Sequence, residues 1–256
     1  MEIRELSFQY GKKDVLQSVS AHIERRKITT IIGPNGCGKS TLLNLMTKNL
    51  RPLNGSVFLE DKNIQKIGLK DFARKVAIVH QYNNAPKDIT VRNLVSYGRT
   101  PYITFYRKKT REDEEIIDWA MNITNVYQFK DKAISTLSGG QRQRAWIAMA
   151  LAQKTEILFL DEPTTHLDIR YQLQIMNLIK NLNKDFNMTI VMVLHDISQA
   201  IFYSDMIIGL KDGKVVINGE PKKVINKSTL NKIFNVDLKI MEENSMKYVL
   251  TVSDNI

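Results

Sequence analysis

A single cysteine in 256 residues leaves no internal disulfide to form. The fold must rest on a buried core, which a chain of this length can build without covalent or metal staples. Long apolar runs are missing too: the longest, such as Ile190 to Leu194, are strand-sized and far below the about 18–20 residues that span a bilayer. The opening segment Met1-Glu2-Ile3-Arg4-Glu5 lacks the apolar stretch of a secretory signal. A reducing, cytosolic setting is expected, with any work for a membrane done from outside the lipid. Twelve glycines and six prolines are too few for collagen-like or low-complexity classes. Neither Cys37 nor the four histidines fall at a metal-ligand spacing. At about 150 residues per domain, one large domain or two small ones is expected.

What is present in excess is positive charge. Lys and Arg number 37 against 27 acidic residues, a formal net charge of +10, so nucleic acid, nucleotides and anionic headgroups are candidate partners. The charge lies in short clusters, Lys12-Lys13, Arg25-Arg26-Lys27, Arg107-Lys108-Lys109 and Lys222-Lys223, a pattern more typical of a solvated surface than of one binding stripe.

Hydrophobic spacing switches repeatedly between period 2 and period 3.6. Residues 1–32 read as short strands ending in Ile28-Thr29-Thr30-Ile31-Ile32, and Lys39 to about Lys48 reads as a helix. Strands are expected near Val57–Leu59 and Val76–Val79, then a mainly helical stretch over 90–153. A strand at Ile157–Leu160, a helix over about 169–184, a strand at Thr189–Leu194 and a helix from near Asp196 follow. This alternation predicts a mainly parallel sheet flanked by helices. Asp212-Gly213 reads as a hairpin turn, and the tail from Val236 is left between hairpin and coil.

Chemistry enters at Gly33-Pro34-Asn35-Gly36-Cys37-Gly38-Lys39-Ser40-Thr41, a G-x-x-x-x-G-K-[ST] loop between a predicted strand and a predicted helix. By chance the pattern arises in on the order of one chain in a hundred. Its glycines let backbone N–H groups turn inward around a phosphate at a helix N-terminus. Lys39 would reach the β and γ phosphates and the Ser40 hydroxyl would ligate Mg2+. A glycine turn capping an ordinary helix would leave the lysine unexplained. Cys37 is expected to face the phosphate cradle, so that its alkylation would block nucleotide binding.

A second element is the apolar strand that delivers Asp161 and Glu162 at its C-terminal end, where ligands of open α/β sheets bind. Asp161 would hold Mg2+ through water, and Glu162 could polarise a water for attack on the γ phosphate. Third is Leu137-Ser138-Gly139-Gly140-Gln141 ahead of a helix. Ser138 and Gln141 alone match a capping box. Two glycines exceed what a cap needs, and they allow a ligand close to the backbone at a second helix N-terminus.

With these three motifs in this order, nearly the whole chain resembles the nucleotide-binding subunit of an ATP-binding cassette (ABC) transporter. The resemblance implies a P-loop α/β fold with an N-terminal antiparallel β-subdomain. It implies one domain over 1–256, with a helical subdomain inserted over about 84–150 and a small C-terminal extension over about 221–256. It also implies a head-to-tail homodimer in which ATP on one subunit's phosphate loop is covered by the other's Leu-Ser-Gly-Gly-Gln element, Ser138 and Gly140 acting in trans. Tyr10 matches the aromatic residue stacked on adenine. Gln81 matches the glutamine that senses Mg2+ and links to the membrane subunits. Asp168 in Thr165-His166-Leu167-Asp168 matches the aspartate that crosses the interface, and His195 the histidine at the γ phosphate.

Val95-Ser96-Tyr97-Gly98-Arg99-Thr100-Pro101-Tyr102, the helix from Gln141 to Gln153 and the Thr-His-Leu-Asp segment resemble importers of ferric siderophores, with importers of haem, cobalamin or another metal chelate as close relatives. The implied partners are integral membrane permease subunits and, indirectly, a substrate-binding protein, with the chain peripheral on the cytoplasmic face of the membrane. Any iron belongs to the cargo. A soluble ABC ATPase acting on nucleic acid suits the charge, but two cassettes or a long coiled-coil insertion are absent, so no direct nucleic-acid partner is expected. An ATPase of iron-sulfur assembly is the other alternative.

Overall fold

The computed structural model describes residues 1–103, 109–243 and 246–250. Arg107 and Lys108 of the third basic cluster, and the last six residues of the tail, lie outside them. The chain forms two compact units, Met1–Ile67 with Thr189–Ile256, and Gly68–Met188.

The first unit opens with β1 (Glu2–Tyr10) and β2 (Lys13–His22), followed by β3 (Ile28–Ile32), α1 (Lys39–Met46), β4 (Asn54–Leu59) and β5 (Lys62–Asn63). An antiparallel sheet runs in the order β2-β1-β4-β5. Its buried residues are Ile3, Leu6, Leu16, Val19, Ala21 and Val57, and the period-2 spacing slips by one residue at Glu5 and Ser18, whose φ of 51° and 50° accompany register shifts between β1 and β2. The sequence expectation of strands over 1–32 holds.

The second unit contains α2 (Leu69–Ala73), β6 (Val76–Val79), α3 (Val91–Ser96), α4 (Arg111–Ile123), α5 (Gly139–Ala152), β7 (Ile157–Asp161) and α6 (Ile169–Phe186). Strands β6 and β7 pair in parallel, Val76 opposite Ile157 through Val79 opposite Leu160. Among the described residues of 90–153 the regular structure is helical, apart from an isolated bridge between Thr90 and Ala133. Helix α6 runs two residues past the expected end and stops at Asn187, whose φ of 53° places it in the left-handed region that closes helices.

The chain then returns to the first unit with β8 (Thr189–Val193), α7 (Ile197–Tyr203), β9 (Met206–Lys211), β10 (Lys214–Gly219), α8 (Pro221–Val224), α9 (Lys227–Phe234), β11 (Lys239–Glu243) and β12 (Met246–Leu250). Here β3 lies parallel to β8 on one side and to β9 on the other. Every residue of β3 and β8 is buried, Thr29, Thr30 and Thr189 included, which is why neither strand alternates between apolar and charged residues. The turn Asp212-Gly213 joins antiparallel β9 and β10 with φ of 48° and 73°, the left-handed pair of a tight hairpin. The undecided tail is a hairpin, β11 antiparallel to β12. No described helix is long and apolar enough to cross a membrane.

Candidate active site

The predicted site residues divide between the units. In the first, the buried strand β3 delivers the chain into Gly33, where a Cβ would sit 2.2 Å from the Leu210 carbonyl oxygen and 2.8 Å from Cys37 Sγ. No side chain fits there. Gly38 stands at the N-cap of α1 with φ of 104°, and no side chain caps the helix. With glycine at the N-cap position no capping oxygen occupies that helix end, the arrangement a phosphate uses. Asn35 and Gly36 are exposed at the tip of the loop, Pro34 and Ser40 are half-buried, and Thr41 is buried.

Lys39 is only 5% exposed. Its Nζ donates to the carbonyls of Gly33 (2.9 Å) and Pro34 (3.0 Å), so the ammonium closes the loop on itself and an incoming phosphate would compete with those two carbonyls for it. Tyr10 ends β1 with its ring 54% exposed, edge-on to Phe8 at 4.8 Å. His195, exposed, follows β8 and precedes Asp196, whose carboxylate caps α7 by accepting from the Gln199 N–H (2.9 Å).

Cys37 is expected at the phosphate cradle; its side chain is 4% exposed and its Sγ would lie 2.8 Å from a Cβ at Gly33, packed against the loop's own backbone. Burial pushes the thiol above its ordinary range, against the opposing pull of Lys39, and a scarce thiolate reacts slowly. Iodoacetamide at pH 8 should therefore modify the native protein at least tenfold more slowly than the denatured chain, as read by mass spectrometry. Equal rates would contradict this packing.

In the second unit, β7 is buried along all five residues and ends at Asp161, itself 6% exposed. Glu162 comes next with φ of 51°. A left-handed conformation costs a non-glycine residue on the order of 1–2 kcal/mol and tends to occur at functional sites. Its carboxylate is held on one oxygen by two donors: Gln81 Nε2 donates to Oε2 at 2.6 Å and Thr165 Oγ1 donates to the same atom at 3.0 Å. The Thr165 N–H also bonds the Glu162 carbonyl at 3.3 Å. The structure thus brings Gln81 and Glu162 together. Thr165 was not expected as a partner, although a threonine three residues beyond a turn carboxylate is a known local bonding pattern. Asp168 caps α6, its Oδ1 accepting from the Tyr171 N–H at 3.0 Å.

At the start of α5 the capping box is formed: Ser138 Oγ accepts from the Gln141 N–H (3.4 Å) and Gln141 Oε1 accepts from the Ser138 N–H (3.0 Å). Of the two helix ends read as phosphate-seeking, that of α1 is uncapped by side chains and that of α5 is capped within its own chain. Gly139 is exposed and Gly140 is buried.

The oxygen donors fit the chemistry asked of them. Ser40 in the first unit carries a hydroxyl and Asp161 in the second a carboxylate, each taken singly an oxygen donor of the kind a hard cation such as Mg2+ accepts.

Comparison with known proteins agrees with this geometry. A family model described as ABC transporter matches residues 16–165. The chain is 43% identical over 243 residues to the iron(3+)-hydroxamate import ATP-binding protein FhuC of Bacillus subtilis, covering 95% of this chain and 90% of that one. It is 41% identical to the petrobactin import ATP-binding protein FpuC of Bacillus anthracis (94% and 89% covered), and 41% identical to the ferric enterobactin transport ATP-binding protein FepC of Escherichia coli (93% and 88% covered). Among solved structures it is similar to a metal-chelate type ABC transporter in an inward-facing conformation, with a TM-score of 0.83 at 25% identity over 97% of this chain and 94% of that one. It is similar also to a dimeric ATP-binding cassette bound to ADP and Pi, with a TM-score of 0.74 at 28% identity over 86% and 98%.

Proposed function

Since the chain belongs to the ABC transporter family, we propose that it is the ATP-hydrolysing subunit of an importer that takes up an iron(III)-siderophore. One observation carries the cargo: relatives named for iron-chelate import match over 93–95% of the chain. The loop that ends in Lys39 supports the ATPase part. The runner-up cargoes are haem, cobalamin or another metal chelate.

In this reading the phosphates of ATP enter the Gly33–Thr41 loop, and Lys39 exchanges the Gly33 and Pro34 carbonyls for β- and γ-phosphate oxygens. Tyr10 stacks on the adenine. Ser40, Asp161 and Gln81 would each offer an oxygen to Mg2+, which would supply positive charge against that of the phosphates. Glu162 takes a proton from water as the water oxygen bonds to the γ phosphorus. The bond to the β-phosphate oxygen breaks, leaving ADP and phosphate. His195 orients the γ phosphate. Ser138, Gly139, Gly140 and Gln141 of a second copy close over the nucleotide, with Asp168 at the interface. The α5 capping bonds make Ser138 an ordered acceptor before that closure.

Two such chains form a homodimer on the cytoplasmic face of the membrane, against integral permease subunits that receive cargo from a substrate-binding protein. Closure on ATP and reopening after hydrolysis pass to the permease through the segment after Gln81. The chain is proposed as one domain, its helical segment over about 84–150 serving as an inserted subdomain and 221–256 as an extension.

Uptake of radiolabelled ferric hydroxamate in a strain lacking this chain tests the proposal. The wild-type chain should restore uptake and Glu162→Gln should not. Undiminished ferric-hydroxamate uptake in the deletion, with haem or cobalamin uptake lost instead, would overturn the cargo assignment.

A further inference from the structure

Gly140 is helical and poses no conformational demand for glycine, yet it has no room for anything else. A Cβ there would meet Tyr171 of the same chain at three atoms, Cδ1 at 2.6 Å, Cγ at 2.7 Å and Cβ at 3.0 Å. Tyr171 Cβ is fixed by its backbone, and Cγ and Cδ1 can withdraw only by a χ1 change that takes the ring away from the start of α5. The Tyr171 backbone is itself fixed. Its N–H bonds the capping carboxylate of Asp168 (3.0 Å), the next residue bonds back from Gln172 Nε2 to the Leu167 carbonyl (2.9 Å), and α6 is anchored by buried Ile175, Met176 and Ile179. Beside it, a Cβ on Gly139 would stand 3.3 Å from Leu167 Cδ2.

We propose that Tyr171 is a positioning residue for the Ser138–Gln141 turn, and that Gly140 is glycine to admit the Tyr171 ring of its own chain. The ring packs the start of α5 against the turn that carries Asp168. That turn begins at Glu162, whose carboxylate the Thr165 hydroxyl holds at 3.0 Å. The side chain that activates water and the hydroxyl of Ser138 are therefore linked by one continuous set of contacts within the second unit. Close packing makes such contacts respond together to displacement. The inference rests on the proposed role of Ser138 over the nucleotide.

A compensating pair tests it. Gly140→Ala should lower Tm although alanine is the better helix former, and should lower kcat on the order of tenfold with the KM for ATP changed less. Tyr171→Ala opens the space. In Gly140→Ala combined with Tyr171→Ala, both Tm and kcat should return to the values of Tyr171→Ala alone. Tyr171→Phe, which keeps the ring, should behave as wild type alone and should fail to relieve Gly140→Ala. A double variant as impaired as Gly140→Ala in both readouts would overturn the proposal and leave ligand approach as the reason for the glycine. Tm reads the packing whether or not the site acts on ATP. A wild-type kcat in Tyr171→Ala alone would overturn the positioning role and confine Tyr171 to packing. Absence of ATP turnover in the wild-type chain with its permease would instead sink the functional reading.

Discussion

Glu162→Gln should lose on the order of 10² to 10⁴ in ATP turnover while still binding ATP, the usual worth of a general base. The substitution is close to isosteric. Its side-chain oxygen can still accept from Gln81 Nε2 and Thr165 Oγ1, which stand 2.6 Å and 3.0 Å from Oε2 in the native chain. Positioning is thereby retained while the capacity to take a proton is removed. Single-turnover hydrolysis beside equilibrium nucleotide binding separates the two. Turnover within threefold of wild type would remove Glu162 from the role of base. A weakened affinity for ATP would show that the carboxylate serves binding and not only the chemical step.

Arg99→Met should lower stability by about 3–5 kcal/mol, the cost of leaving one partner of a buried ion pair without the other. The Arg99 and Asp113 side chains are 4% and 1% exposed, and Nε donates to Oδ1 at 2.8 Å. Arg99 Nη1 also bonds the Ala152 carbonyl at the end of α5 (2.9 Å), and its guanidinium lies 3.9 Å from the Tyr102 ring centre. One side chain thus joins the segment after α3 to α4 and to the far end of the helix that starts at Ser138. For a domain of this size Tm should fall on the order of 10 °C.

The same pair gives a pH dependence with a definite sign. Burial alone would raise the Asp113 carboxyl, but the Thr110 backbone N–H, Arg99 and the Thr110 hydroxyl together hold it below the usual carboxylate range. A group depressed in the folded state contributes stability above its unfolded pKa of about 3.9 and loses it as pH falls through the folded value. Wild type should therefore lose this contribution only below about pH 4, whereas Arg99→Met lacks the Arg99 part of it already at pH 7. Thermal melts from pH 7 to pH 3 measure the difference, and parallel curves with equal Tm would contradict the assignment.

Much of the fold is legible in the chain because its parallel strands are buried nearly throughout. Ile28–Ile32 and Ile157–Asp161 read as buried parallel strands, and Asp212-Gly213 supplies the two left-handed residues of a hairpin. The phosphate loop is legible because its spacing from Gly33 to Ser40 is local and its glycines take φ values of 78° at Gly36 and 104° at Gly38. Contacts between residues distant in sequence are not. Asp113 sits in Arg111-Glu112-Asp113-Glu114-Glu115, which reads as a solvated face, yet helical geometry turns Asp113 inward to Arg99 while Arg111 and Glu115 stay exposed. Glycine in Ser138–Gln141 reads as room for a ligand, and at Gly140 the room is filled by Tyr171. The burial of Cys37 is likewise not legible, since it comes from the close approach of its Sγ to Gly33 four residues earlier.

In the proposed function, ATP joins two copies of this chain and hydrolysis releases them. Light scattering on Glu162→Gln with saturating Mg2+ and ATP, in which the bound nucleotide persists, measures it most directly. The predicted mass is twice the 29.5 kDa of one chain, falling back to a single chain with ADP. A particle that stays at 29.5 kDa with ATP demonstrably bound, both alone and in detergent with its permease removed from the count, would contradict it.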